Sequence, residues 1–183
     1  MTATITKKKT TYADYVKIDD NNRYEVFNGE LRMVPAPSTD HQFISRDLEF
    51  LVWNFVNKKG LGEVLYAPVD VVFDDEGVYQ PDLVFIKKDR QGIIKRDAIH
   101  GVPDLIMEIV SPSSVFYDTV EKKEIYRKYG VNEYWLVFPD EKAIEVFVLE
   151  NGEYQEFCRF KKNGCVASKI LEGLKIYAKD IFK

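Results

Sequence analysis

Residues 105–110 read LIMEIV, and no other stretch restricts the fold as tightly. Alternation along a strand puts Leu105, Met107 and Ile109 on one face and Ile106, Glu108 and Val110 on the other. Apolar residues on both faces indicate a strand covered on both sides. Pro103 introduces this strand, and SPSS (residues 111–114) opens a helix expected to run to about Tyr129 and stop at Gly130. A second apolar strand follows at residues 134–138. Strand, helix and strand over this span form a right-handed crossover, so the two strands are expected to be parallel neighbours. The class is therefore α/β, with a mixed central β-sheet flanked by helices.

The remaining chain supplies hairpins and one long helix. Asn28-Gly29 sits between apolar runs at residues 24–27 and 31–34, and Asn151-Gly152 between residues 144–149 and 154–160. Both pairs tolerate the positive φ of a tight turn, so an N-terminal and a C-terminal β-hairpin are expected. A short helix is expected from Tyr12. Residues 35–39 (PAPST) read as a loop, followed by a helix over residues 40–58 with Phe43, Leu48, Leu51, Phe55 and Val56 at helical spacing. Residues 64–73 and 78–86 read as antiparallel strands joined by Asp74, Asp75, Glu76 and Gly77. Residues 87–101 read as a charged loop, and residues 178–183 carry no signal.

A length of 183 residues suits one domain, here expected over residues 12–183 behind a flexible tail at residues 1–11. With 45% hydrophobic and 31% charged residues, the composition is globular rather than disordered. A net charge of 26 − 30 = −4 excludes a protein that coats nucleic acid through overall basicity, though not a local basic groove. Two cysteines, Cys158 and Cys165, give no disulfide framework. No apolar run approaches the roughly 20 residues of a membrane span, and the N-terminus lacks a signal peptide's apolar core, so a cytoplasmic location and no membrane partner are expected.

Three residues stand out chemically. Glu108 is a carboxylate in an apolar row, and burial would require a cation, a hydrogen-bond donor or a proton beside it. It could instead face solvent at a sheet edge or bond a backbone amide. Asp82, in Pro81-Asp82, precedes the apolar run Leu83 to Ile86 and shares a face with Val84 and Ile86; alone it also fits a strand-end turn. Were the two strands adjacent, about 4.8 Å apart, both acids could converge on one ion. At about 100° per residue, Val115, Asp118, Ile125, Tyr126 and Tyr129 fall within roughly 60° of Lys122, on the sheet-facing stripe of the helix. Lys123, Arg127 and Lys128 point elsewhere. Lys122 either snorkels its ammonium to the sheet rim or meets Glu108 or a bound anion. Asp118, one turn earlier, either pairs with Lys122 or complements the helix dipole.

Asp82, Glu108 and a nearby lysine resemble the PD-(D/E)XK nuclease superfamily. More narrowly, YEVFNGELRMVPAPSTDHQ, YAPVDVVF, QPDLVFI, GVPDLIMEIVSPSS, DTVEKKEIYRKYGVNEYWLVFPD and the final hairpin resemble the putative restriction endonuclease domain family of bacteria. These segments cover nearly all of residues 12–160. The resemblance implies a restriction-endonuclease-like fold and a magnesium-dependent endonuclease (Mg²⁺ or Mn²⁺) acting on DNA, with Asp82, Glu108 and Lys122 catalytic. It also implies metal ligation by Asp82, Glu108 and the Ile109 carbonyl. One departure stands out: the superfamily lysine belongs two residues after the acidic strand residue, where this chain has Val110. Lys122, on the following helix, matches the branch. Glu25 resembles an acid that some members place near the metal, and otherwise reads as an exposed strand glutamate. His41 reads as a capping or packing residue rather than a ligand. Two distant histidines and two cysteines give no zinc spacing. The basic pairs Lys58-Lys59, Lys87-Lys88, Lys95-Arg96 and Lys161-Lys162 fit either a phosphate track or a solvated surface. Nucleases of this fold often pair to cut both strands, so a homodimer is expected. The alternative is a nuclease-fold protein that binds nucleic acid or protein without turnover.

Overall fold

The computed structural model describes residues 8–183. The tail expected over residues 1–11 therefore lies largely outside the described residues. From Lys8 onward the chain is engaged: the Thr10 N–H donates to the Gly29 carbonyl, and Lys9 pairs with Glu76. The elements run α1 (Tyr12–Tyr15), β1 (Tyr24–Phe27), β2 (Glu30–Met33), α2 (Thr39–Lys59), β3 (Gly62–Tyr66), β4 (Val71–Asp74), β5 (Gly77–Tyr79), β6 (Leu83–Lys87), β7 (Ile99–His100) and β8 (Leu105–Ile109). A π-helical turn, Tyr117–Lys122, leads into α3 (Lys123–Tyr129). Then come β9 (Glu133–Phe138), β10 (Ala143–Glu150), β11 (Glu153–Lys161), β12 (Cys165–Ala167), β13 (Lys175–Tyr177) and α4 (Ala178–Ile181).

Six strands form a large sheet in the order β11-β10-β9-β8-β6-β3, with β8 and β9 its parallel pair. The crossover through α3 is thus the one the LIMEIV segment requires. Gly130 ends α3 at φ +84°, a conformation glycine adopts without a Cβ penalty. Five more strands form a second sheet, β2-β1-β5-β4-β7. Asn28 and Asn151 both take positive φ in their hairpin turns.

Every residue of β8 is buried. Leu105, Met107 and Ile109 pack with Leu48 and Val52 of α2, while Ile106 and Val110 pack with Ile125 and Tyr126 of α3. The large sheet is therefore covered on both faces, and Glu108 lies on the α3 side.

Four expectations need correction. The strands expected over residues 64–73 and 78–86 are not one hairpin of one sheet. β3 pairs with β6 in the large sheet, whereas β4 pairs with β5 in the second. The break falls at Pro68 and Pro81, which have no N–H for a ladder. The apolar stripe of α2 is rotated: Ile44, Leu48, Val52 and Val56 are buried, and Phe43 is 55% exposed. On the next helix, Val115 is exposed although it falls on the Lys122 stripe at 100° per residue. The wider π turn after it shifts the phase. The charged loop contains a 3-10 turn (Lys88–Ile93) and β7, and the C-terminus closes the α2 side with Ala178 and Ile181 buried.

Candidate active site

Asp82 sits where the long hairpin leaves one sheet for the other. The β6–β8 register pairs Leu83 with Met107, and continuing it by one residue sets Asp82 opposite Glu108. The Asp82 Oδ2 accepts the Ile109 N–H at 2.8 Å and faces His41 Nε2 at 3.1 Å. His41 stands in the first turn of α2, after the Ser38 cap whose hydroxyl accepts the His41 backbone N–H.

Glu108 is 3% exposed and Lys122 5%. The Lys122 Nζ donates to Glu108 Oε1 at 2.9 Å, lies 3.1 Å from Glu25 Oε1 and 3.9 Å from Asp118 Oδ1. The Tyr126 hydroxyl donates to the same Glu108 oxygen at 2.7 Å. The i, i+4 relation of Asp118 and Lys122 survives the π turn. Glu25 is not an exposed strand glutamate. It is 1% exposed, and it accepts the Gln80 N–H at 2.8 Å and the Tyr117 hydroxyl at 2.7 Å. The structure thus gathers Glu25, Glu108, Asp118 and Lys122 in one buried cluster, with Asp82 alongside on the same cavity wall.

The charge of this cluster is unbalanced. Burial pushes the Glu108 carboxyl well above its usual range, against the pull of Lys122. Burial likewise pushes Asp118 up to about 6, again opposed by Lys122. Burial alone would lower the Lys122 amine, but the Glu108, Glu25 and Asp118 carboxylates outweigh it and hold the amine well above normal. The ammonium therefore stays charged, and the surplus lies with the acids. Four carboxylates around one lysine favour uptake of protons or of a further cation.

The cavity in front of these groups measures about 1090 Å³. The loop at residues 34–38, Tyr66, Pro68, Ser111, Ser114 and Phe116 form part of its walls. Among the described residues, Asp82 Oδ1 and Glu108 Oε2 accept no hydrogen bond, and both side chains line the cavity. No ligating group of three or more His, Cys, Asp or Glu side chains occurs among the described residues. The donor set is two carboxylates, with Ile109 beside them. Oxygen-only ligands in that number suit Mg²⁺ or Mn²⁺, which keep several waters or take up phosphate oxygens.

The paired lysines singled out in the sequence do not line the cavity. Arg23, Arg32 and Arg46 do. Arg32 is held by Glu121 at 2.8 Å and lies over the Phe27 ring at 4.1 Å. Sequence reasoning also missed the tyrosine partners; the polar hydroxyl of Tyr126 on an otherwise buried stripe was the available signal.

The sequence model of the Uma2 family, described as "Putative restriction endonuclease", matches residues 11–177. The chain belongs to the Uma2 family. Its fold is also that of a solved structure described as a putative nuclease belonging to DUF820 from Anabaena variabilis ATCC 29413, with a TM-score of 0.77. The two are 20% identical, and the match covers 94% of this chain and 97% of the other. No curated protein matches the chain. The restriction-endonuclease-like family and fold expected from the motif segments are those found. In this Uma2 chain the residue two after Glu108 is Val110, buried against α3, and the ammonium beside Glu108 arrives from the π turn instead.

Proposed function

We propose that the chain is a metal-dependent endonuclease that hydrolyses DNA phosphodiester bonds, with Asp82 and Glu108 as carboxylate ligands and Lys122 as the catalytic cation. The observation that carries this reading is the contact of Lys122 Nζ with Glu108 Oε1 beside a cavity that also receives Asp82. A divalent ion, when bound, supplies charge neutralisation at the phosphoryl group and acidifies water. The residues prepare that place. Lys122 and Tyr126 both bond Glu108 Oε1, so the carboxylate is fixed with its other oxygen free. The ammonium adds positive charge where the phosphoryl group becomes more negative. Asp118 and Glu25 hold the ammonium in place, and the carbonyl of Ile109 is the proposed third protein ligand. Arg23 and Arg46 at the cavity wall suit phosphate contacts. A homodimer would place two such sites on opposite strands.

The saturation of Lys122 by Glu108 and Glu25 favours a second reading, in which the cavity holds nucleic acid without turnover. Supercoiled plasmid incubated with Mg²⁺ or Mn²⁺ separates the two. The nuclease reading expects nicked product that EDTA abolishes and that falls to background in Asp82→Ala, Glu108→Ala and Lys122→Ala. Retention of DNA with no product in either ion would favour the second.

A further inference from the structure

His41 is an odd choice for a packing residue. Its side chain is only 14% exposed, and its Nδ1 is buried with no hydrogen-bond partner among the described residues. A buried polar atom left unpaired costs about 1–3 kcal/mol, which an aliphatic side chain at the same place would avoid. Among the described residues the ring's one polar side-chain contact is Nε2 against Asp82 Oδ2 at 3.1 Å. That oxygen is also the one that accepts the Ile109 N–H. Two donors from different elements, the first turn of α2 and the C-terminal end of β8, therefore converge on a single carboxylate oxygen. The other, Oδ1, accepts no hydrogen bond among the described residues.

We propose that His41 is a positioning residue for Asp82: by donating from Nε2 to Oδ2 it fixes the carboxylate's rotation and presents Oδ1 to the cation. The proposal rests on the metal-site reading above. Outer partners of this kind orient ligating carboxylates, and their loss typically weakens metal binding by roughly 10–100-fold. The Ile109 amide alone does not define the rotation, because a carboxylate held through one bond can still turn about it. The second donor, arriving from α2, removes that freedom. His41 also ties the long helix to the point where the hairpin changes sheets.

The distance from Cβ to the donor makes the idea testable. A glutamine reaches as far as Nε2 of histidine and carries an N–H there, whereas an asparagine is one methylene shorter and does not reach. Titration calorimetry with Mn²⁺ on the full chain reads the affinity without substrate or turnover. Asp82→Ala should abolish the binding event. His41→Ala and His41→Asn should weaken it about tenfold or more, while His41→Gln should stay within roughly threefold of the parent. Thermal melts in EDTA establish that each variant is folded. Parent-like affinity in folded His41→Ala, with Asp82→Ala still inactive in binding, would overturn the positioning role alone. So would equal losses in His41→Gln and His41→Asn, since a merely structural histidine is not rescued by reach. If the parent binds no Mn²⁺, or Asp82→Ala binds as well as the parent, the metal-site reading fails and this inference falls with it.

Discussion

Replacing Lys122 by methionine keeps an unbranched side chain, one atom shorter, and removes the cation from the buried cluster. At an effective dielectric of about 20, a unit charge about 3 Å from a carboxylate contributes about 5 kcal/mol of attraction before desolvation is set against it. Lys122 has two such partners, Glu108 and Glu25, and a weaker one in Asp118. Desolvation offsets much of this sum, and breaking a buried pair by deleting one partner leaves a loss of about 3–5 kcal/mol. The loss must depend on pH. Lys122 pulls the Glu108 and Asp118 carboxyls down against burial, so its removal drives both further up. As pH falls, both acids, held up by burial, take up protons in the folded variant before an ordinary carboxylate would and then need no cation. Urea unfolding in EDTA should therefore show the full deficit at pH 7.5 and a much smaller one at pH 5. Mn²⁺ should recover part of it at pH 7.5 by supplying another cation. A deficit under about 1 kcal/mol at pH 7.5, or the same deficit at both pH values, would mean that the Lys122 ammonium does not hold these acids in the folded protein.

Other perturbations follow from the same contacts. Asp118 has a folded-state value raised to about 6 by burial first, so its stabilising contribution is complete below its ordinary carboxylate range and is lost as pH rises through 6. Asp118→Asn should flatten the fall in stability between pH 4 and pH 7 in EDTA, read from urea midpoints. Glu133 is fully buried and accepts from Trp135 Nε1 and from the backbone N–H groups of Lys169 and Ile170. Glu133→Ala leaves three donors without a partner and should lose about 3 kcal/mol or more, with faster amide exchange at residues 169 and 170. A Cβ on Gly62 would stand 2.0 Å from the Ile86 carbonyl oxygen, so Gly62→Ala should force β3 from β6 and lower the unfolding midpoint markedly.

Local pattern carried much of this fold. The two-faced apolar run at β8, the Asn-Gly turns and Gly130 each imply one backbone conformation, and the structure adopts it. The switch of one hairpin between two sheets was harder to read. Pro68 and Pro81 signal a break in pairing but not which sheet each half joins, a question decided by packing against β1 and β8. A π turn is invisible at 100° per residue, so Val115 lies off the expected stripe even though Asp118 and Lys122 remain on it. Glu25 illustrates the limit for the site. Its burial depends on Gln80, Tyr117 and Lys122, which come from two distant segments, and nothing in YEVF distinguishes it from an exposed glutamate. His41 is similar, since its partner lies 41 residues away across the sheet edge.

A metal-dependent site here requires that Asp82 and Glu108 together hold a cation. A crystal of the full chain grown with Mn²⁺ and measured at the manganese edge gives the answer directly. One anomalous peak is expected about 2.1 Å from an Asp82 oxygen and from the free oxygen of Glu108. A clean map with no peak there, or manganese bound only at some other part of the surface, would contradict it.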